Sequence, residues 1–336
     1  MHSLSSHAPR VTCIAALLLL GTLQAWAQDG PSDCSLRVAS GPKGKVYARM
    51  VEDMQSACGA AVSVCSPVAS TGGLQNLLLL SANSADLGIV QIDTLQEMSA
   101  GDENIRTLQA VMPLHVNLLH VIALASGSSV DVKTVLGAVV PLTGRKVVIR
   151  KFSELKDMTV AAVGSAQLMG QVLEKGLRYG MNFVVADTDD QALDLLRTGK
   201  VQAVFTLGGW PLPAVSRHDR GSGLQLVDFD PTPQPPYVTV KRNYQNLDAF
   251  NLNFLGVPNL LVTRPFKPGG AMANRVSTLG ACLRKQLDEL QEGQNFKPGW
   301  KEIKDPDQVY GVTRFAGVPS PGIARGKGGE ISSSAR

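Results

Sequence analysis

The sequence predicts a two-lobed α/β fold, and three observations lead there. Short β-rich runs alternate with helical stripes along most of the 336 residues. A glycine-bearing turn sits between almost every strand and the helix after it. The alternation halts near Ala125 and restarts near Thr159. Strand, glycine turn and helix in repetition signify parallel βαβ units with helices covering both sheet faces. Two such runs joined by extended crossings make two lobes.

The elements follow in order. Leu36–Ala39 reads as a strand and runs into the turn Ser40-Gly41-Pro42-Lys43-Gly44. Val46, Tyr47, Met50, Val51 and Met54 then recur at helical spacing. Val62–Cys65 is the next strand, Ser70-Thr71-Gly72-Gly73 the next turn and Leu74–Leu80 the next helix. Asp86–Val90 is a buried strand, followed by a helix over Thr94–Met98. Residues 126–150 have little periodicity. After them come a strand at Thr159–Val163, the turn Gly164-Ser165, and a helical stripe of Leu168, Val172 and Leu173. Phe183–Ala186 is a strand, and Thr188 or Asp189 caps the helix that carries Ala192, Leu193, Leu195 and Leu196. Val201–Phe205 ends at Gly208-Gly209-Trp210-Pro211-Leu212-Pro213. Leu224–Val227 and Val257–Thr263 are strand-like, Pro231–Pro236 is a proline-rich connection, and Val276–Leu290 is an amphipathic helix.

The expected domain plan is a signal peptide over 1–27, one lobe from 31–125 plus 237–305, a second from 126–236, and a partly disordered C-terminal extension over 306–336. The leader reading rests on Arg10, the apolar run Val11–Leu20 and the cleavage signal Ala25-Trp26-Ala27. That run is too short to span a bilayer, which takes about 20 apolar residues. The mature chain is therefore expected in the periplasm. Four cysteines remain after cleavage, Cys34, Cys58, Cys65 and Cys282. They allow three pairings in an oxidising compartment, and the proximity of Cys58 to Cys65 makes that bridge the first expectation.

Composition narrows the function. A net charge of +4 over this length, without an aromatic-interleaved basic stripe, excludes a nucleic-acid binder. Neither a P-loop, nor GxGxxG, nor HExxH occurs, so neither a cofactor nor a metal is expected. Ser153-Glu154-Leu155-Lys156 matches the SxxK string of penicillin-recognising hydrolases, but no KTG string accompanies it. The chain is accordingly expected not to be an enzyme.

In open α/β sheets the ligand lies beyond the carboxyl ends of the strands, where helices begin. The turn at Ser70, Thr71 and Gly72 opens a helix, whose first N–H groups and dipole favour an anion. Ser70 or Thr71 as a plain N-cap is the competing reading, and Gly164-Ser165 carries the same pair of readings. Tyr47 is a cleft residue or a core aromatic. Gln91 and Asp93 emerge from a buried strand, with Asp93 also a natural helix cap. Trp210 after Gly209 is either an apolar wall with a donor at its edge or packing between lobes.

Taken together, VASGPKGKVYARM, VASTGGLQNLLLL, SADLGIVQID, LRYGMNF and TLGGWPLPAV resemble the TAXI family of TRAP-transporter solute-binding proteins, in order and spacing across roughly residues 35–265. The resemblance implies a type II periplasmic-binding fold with a ligand cleft between lobes that close like a hinge. It implies glutamate-like amino acids or 2-oxoglutarate-like dicarboxylates as ligands, and membrane permease subunits coupled to an ion gradient as partners. Carried over by position, the ligand contacts are Gly41, Tyr47, Ser70, Thr71, Gly72, Gln91, Asp93, Gly164, Ser165, Gly209 and Trp210. This chain departs from the family pattern at Lys43 and Lys45, where small or neutral residues are usual. Lys43, at the apex of its turn, is expected to meet a second carboxylate and so to favour dicarboxylates. The alternatives are a secreted protein that presents its ligand to a sensor, and a secreted hydrolase.

Overall fold

The computed structural model describes residues 34–65, 70–130, 146–294 and 298–318. The expected signal peptide, the middle of the 126–150 stretch and the tail beyond Val318 lie outside the described residues.

In chain order the elements begin with β1 (Leu36–Ala39), α1 (Val46–Cys58), β2 (Val64–Cys65), α2 (Gly73–Ser81), β3 (Leu87–Gln91), α3 (Ile92–Ser99), α4 (Glu103–Arg106) and β4 (Gln109–Leu124). A short hairpin of β5 (Ser128–Ser129) and β6 (Lys146–Val147) precedes β7 (Thr159–Val163), α5 (Ser165–Leu177), β8 (Asn182–Ala186), α6 (Asp189–Arg197) and β9 (Ala203–Gly208). The chain continues through α7 (Pro213–Ser216), β10 (Leu224–Leu226), β11 (Val238–Tyr244), β12 (Ala249–Thr263), α8 (Ala271–Lys285) and α9 (Leu287–Glu292).

The main sheet has the order β2-β1-β3-β12-β4-β9-β7-β8, with β10 on β4 and β11 on β12. Its halves repeat one another. In the first, β1 is parallel to both β2 and β3, and β12 closes the group antiparallel to β3. In the second, β7 is parallel to both β8 and β9, and β4 closes it antiparallel to β9. Each half thus has the order 2-1-3 plus one long strand, and the two long strands pair at the centre. The outcome is the two-lobed α/β architecture that the alternation predicts.

Helix formation follows the apolar spacing. Tyr47, Met50, Val51, Met54 and Cys58 bury one stripe of α1. Thr188 caps α6, its hydroxyl accepting the Gln191 amide at 3.2 Å. Every residue of β3 is buried, as a strand covered on both faces must be.

Two expectations need correction. The disulfides are Cys34–Cys65 and Cys58–Cys282, not Cys58–Cys65. Cys65 ends β2 opposite Arg37 of β1, which brings it within 6.0 Å, Cα to Cα, of Cys34 just ahead of that strand. Cys58 belongs to the buried stripe of α1 and meets α8. In addition, residues 306–318 do not form a separate extension. Arg314 bridges Ala110 at the start of β4, Asp307 pairs with Arg284 of α8 and with Arg314, and Phe315 and Val318 are buried in the same core as β1 and α1.

Candidate functional site

The glycine turns gather at the carboxyl ends of the strands. Gly41 has φ +105° and Gly72, the N-cap of α2, has φ +131°, conformations that favour glycine. A Cβ on Gly41 would lie 3.6 Å from the Tyr47 ring and 3.7 Å from the Gly72 Cα, so the first two turns adjoin. In the other half Gly164, with φ +55°, caps α5. Between them lies a cavity of about 400 Å³. Thr71, Gly72, Leu74 and Thr94 line it from the first half, and Gly164, Ser165, Gln167, Leu168 and Gln171 from the second.

Both helices begin at this cavity. The first backbone bond of α2 runs from the Asn76 amide to the Gly72 carbonyl at 2.9 Å, so the amides before Asn76 have no helical acceptor. In α5 the Gln167 amide reaches Gly164 at 3.1 Å, leaving those of Ser165 and Ala166 ahead of it. The positive ends of two helix dipoles therefore converge from opposite halves. Across the same seam Lys175 of α5 forms an ion pair with Glu97 of α3.

The other expected residues divide. The buried Ser70 hydroxyl donates to Asn76 Oδ1, and Asn76 Nδ2 donates to the Ile89 carbonyl at 2.7 Å, so Ser70 ties α2 to β3. Gln91 is buried, and a Cβ on Gly73 would lie 3.4 Å from its Oε1. Gly209 approaches Val46 at the head of α1, which brings the β9 turn onto the first half. Trp210 is 41% exposed, donates to the Asn243 carbonyl at 3.3 Å and stacks under Arg242. Asp93 lines a second cavity, beside the proline-rich connection. Lys43 and Lys45 are exposed, and Lys43 lines a groove against Glu52 and Gln55 of α1, not the cavity between the halves. The expected dicarboxylate preference therefore loses its physical basis in Lys43.

Behind the turns, where β4 and β12 cross between halves, sits a polar cluster that sequence reasoning missed. The Tyr47 hydroxyl donates to Asn259 Oδ1 at 2.6 Å and accepts from Asn117 Nδ2 at 2.9 Å. Asn259 Nδ2 donates to the His115 carbonyl at 2.8 Å, and His115 Nε2 reaches Asn117 Oδ1 at 3.0 Å. Tyr47 of α1 is thus bonded to both crossing strands. Burial pushes the Tyr47 hydroxyl up and holds His115 down at about 4. The signal was present in the sequence as polar residues at 115, 117, 120 and 259 inside otherwise apolar runs.

A second pair anchors the Trp210 turn. His120 Nδ1 donates to the Leu118 carbonyl at 2.9 Å, which leaves Nε2 to accept the Tyr244 hydroxyl at 2.8 Å. The Tyr244 oxygen in turn accepts the Leu212 amide at 2.7 Å. Burial lowers His120 to about 3 and pushes Tyr244 up to about 12. The SxxK serine is engaged elsewhere: the Ser153 hydroxyl donates to Asp230 Oδ2.

The fold and the cavity between its halves define a class, the two-lobed α/β proteins with an interlobe cleft. No family model and no curated protein matches the chain. Among solved structures, it is similar to the substrate-binding protein of an amino acid ABC transporter over 79% of this chain and 99% of that one, at 10% identity and a TM-score of 0.46. An amino acid ABC transporter substrate-binding protein from Streptococcus pneumoniae, bound to L-arginine, aligns over 80% and 96% at 12% identity and 0.45. The GluR0 ligand-binding core in complex with L-glutamate aligns over 77% and 95% at 13% identity and 0.44. At these scores the strand order, not the overlap, defines the fold.

Proposed function

We infer that the chain is a periplasmic solute-binding protein that captures a small carboxylate-bearing solute between its halves. The observation that carries this reading is the convergence of α2 and α5, each capped by a glycine of positive φ, on one cavity lined from both halves. Amide groups at two helix starts suit a carboxylate. Its binding would hold the halves together, because each supplies part of the shell. The resemblance to TAXI proteins extends the reading to a type II periplasmic-binding protein serving a TRAP-type membrane permease. The lobe division at residues 31–125 plus 237–305 and 126–236 belongs with it, except that β4 completes the sheet of the second half. Two disulfides support passage through an oxidising compartment, and none of the described helices is long and apolar enough to cross a membrane. The hydrolase alternative is weakened by the engagement of Ser153 with Asp230 and of both buried histidines with structural partners.

A thermal-shift screen of the mature chain over amino acids and dicarboxylates tests the reading, since a ligand that binds only the native state raises Tm. At least one carboxylate-bearing solute should raise it. Thr71→Ala should weaken that ligand by about 1.5–3 kcal/mol, the scale of a hydrogen bond to a charged group, and leave unliganded stability unchanged. Ser70→Ala should do the reverse, lowering stability by about 1–3 kcal/mol because buried Asn76 loses a partner. A panel without any stabilising carboxylate refutes the assignment.

A further inference from the structure

The space between the halves continues past the anion-suited cavity. Thr94 lines that cavity, and the residue before it, Asp93, lines a second one of about 600 Å³. On α5, likewise, Gln171 lines the first and Val172 the second, so α3 and α5 together run along both cavities. Leu173 and Leu177 of α5, Phe229 and the prolines before Tyr237 give the second cavity apolar walls.

Its one deeply buried charge is Asp93, 4% exposed. The partners of this carboxylate are neutral. The Thr94 amide donates to Oδ1 at 2.6 Å, the Thr94 hydroxyl lies 3.3 Å from the same oxygen, and the Tyr237 hydroxyl donates to Oδ2 at 3.1 Å. Glu97, the other acid on this wall, is already paired with Lys175. Among the described residues, no lysine or arginine lines either cavity. Burial raises the Asp93 carboxyl above the usual carboxylate range, and its charge helps raise Tyr237.

Three neutral donors and the start of α3 offset part of the cost of burying this carboxylate, and a cation would offset the rest. We propose that the solute supplies it: the ligand carries a carboxylate for the α2 and α5 starts and, on an aliphatic arm, a cation for Asp93. The ligand class is a basic amino acid. The inference rests on the reading that the α2–α5 cavity holds a carboxylate. The apolar walls suit the methylene arm, and a second carboxylate in the same place would meet Asp93 as a like charge with no cation to offset it.

Calorimetric titration of the mature chain at pH 7.5 with four probes tests this. They are L-lysine, L-norleucine (the same arm without the ammonium), L-glutamate, and cadaverine, which has the arm without the carboxylate. Lysine should bind at least tenfold tighter than norleucine or glutamate. In Asp93→Asn the lysine-to-norleucine ratio should fall below about threefold, while the unliganded variant is at least as stable as the parent. The unmodified protein supplies a second readout: the ratio should fall as acid protonates Asp93. A ratio unchanged by Asp93→Asn and by pH overturns the proposal, as does glutamate binding as tightly as lysine. In those outcomes the carboxylate site itself stands. Binding of cadaverine equal to that of lysine overturns the carboxylate site instead, and binding of none of the four overturns the basic amino acid as ligand, with the wider thermal-shift panel deciding the carboxylate site.

Discussion

At the scale of the residue, the buried polar groups fall into those that hold the structure and those that face the cavities. His115 and His120 are of the first kind. Their neutral forms are fixed by Asn117 and by Tyr244, and their folded values of about 4 and 3 lie below the ordinary 6.5. A histidine depressed in the fold contributes stability that is present above its unfolded value and lost as pH falls towards its folded value. Below pH 6.5 the unfolded chain binds up to two protons that the folded chain refuses, a slope of about 2.7 kcal/mol per pH unit for two sites. Asp93, raised instead of lowered, opposes this by taking a proton in the folded state. The urea midpoint of the unliganded protein should therefore drop steeply between pH 6.5 and 4.5. A midpoint constant over that range contradicts the assignment of both rings as buried and neutral.

At the scale of the element, the short strands and their glycine turns were legible, and the two longest strands were not, or only in part. β7 matches the expected Thr159–Val163, and β1 the expected Leu36–Ala39. β4 went unrecognised because a strand of 16 residues is far longer than the common five or six. Its polar His115, Asn117 and His120 also break the apolar run. Those residues serve the crossing between halves, a tertiary demand that local periodicity does not encode. Prolines mark the same place: Pro258 of β12 faces Val116, and the register shifts beside it, as expected where a strand residue has no N–H to donate. The helix-opening turns of the candidate site were readable because glycine with positive φ is a local requirement. The position of Lys43 was not, since a turn sequence does not say to which side its apex points. The cysteines make the same point, for nearness in sequence suggested Cys58–Cys65 and packing of α1 on α8 chose otherwise. Peptide mapping without reduction should recover the 34–65 and 58–282 pairs. Replacing both Cys58 and Cys282 with alanine should cost about 2–4 kcal/mol. Loop-closure entropy makes that loss roughly 1–2 kcal/mol larger than for the 34–65 pair, because the separations are 224 and 31 residues. Recovery of a 58–65 peptide would overturn the pairing.

At the scale of the whole molecule, the repeated strand order explains why the site lies where it does. Each half directs its helix starts to the same end of its strands, and β4 and β12 join the halves behind them. A solute held by α2 and α5 is then held by both halves at once, with the Lys175–Glu97 ion pair closing the seam beside it. Hydrogen exchange with and without a stabilising solute tests this central claim most directly. The amides at Gly73–Gln75 and at Ser165–Ala166, one set from each half, should slow together and to a similar degree on binding. Slowing confined to one half, or centred on the groove between Lys43 and Gln55, would contradict it.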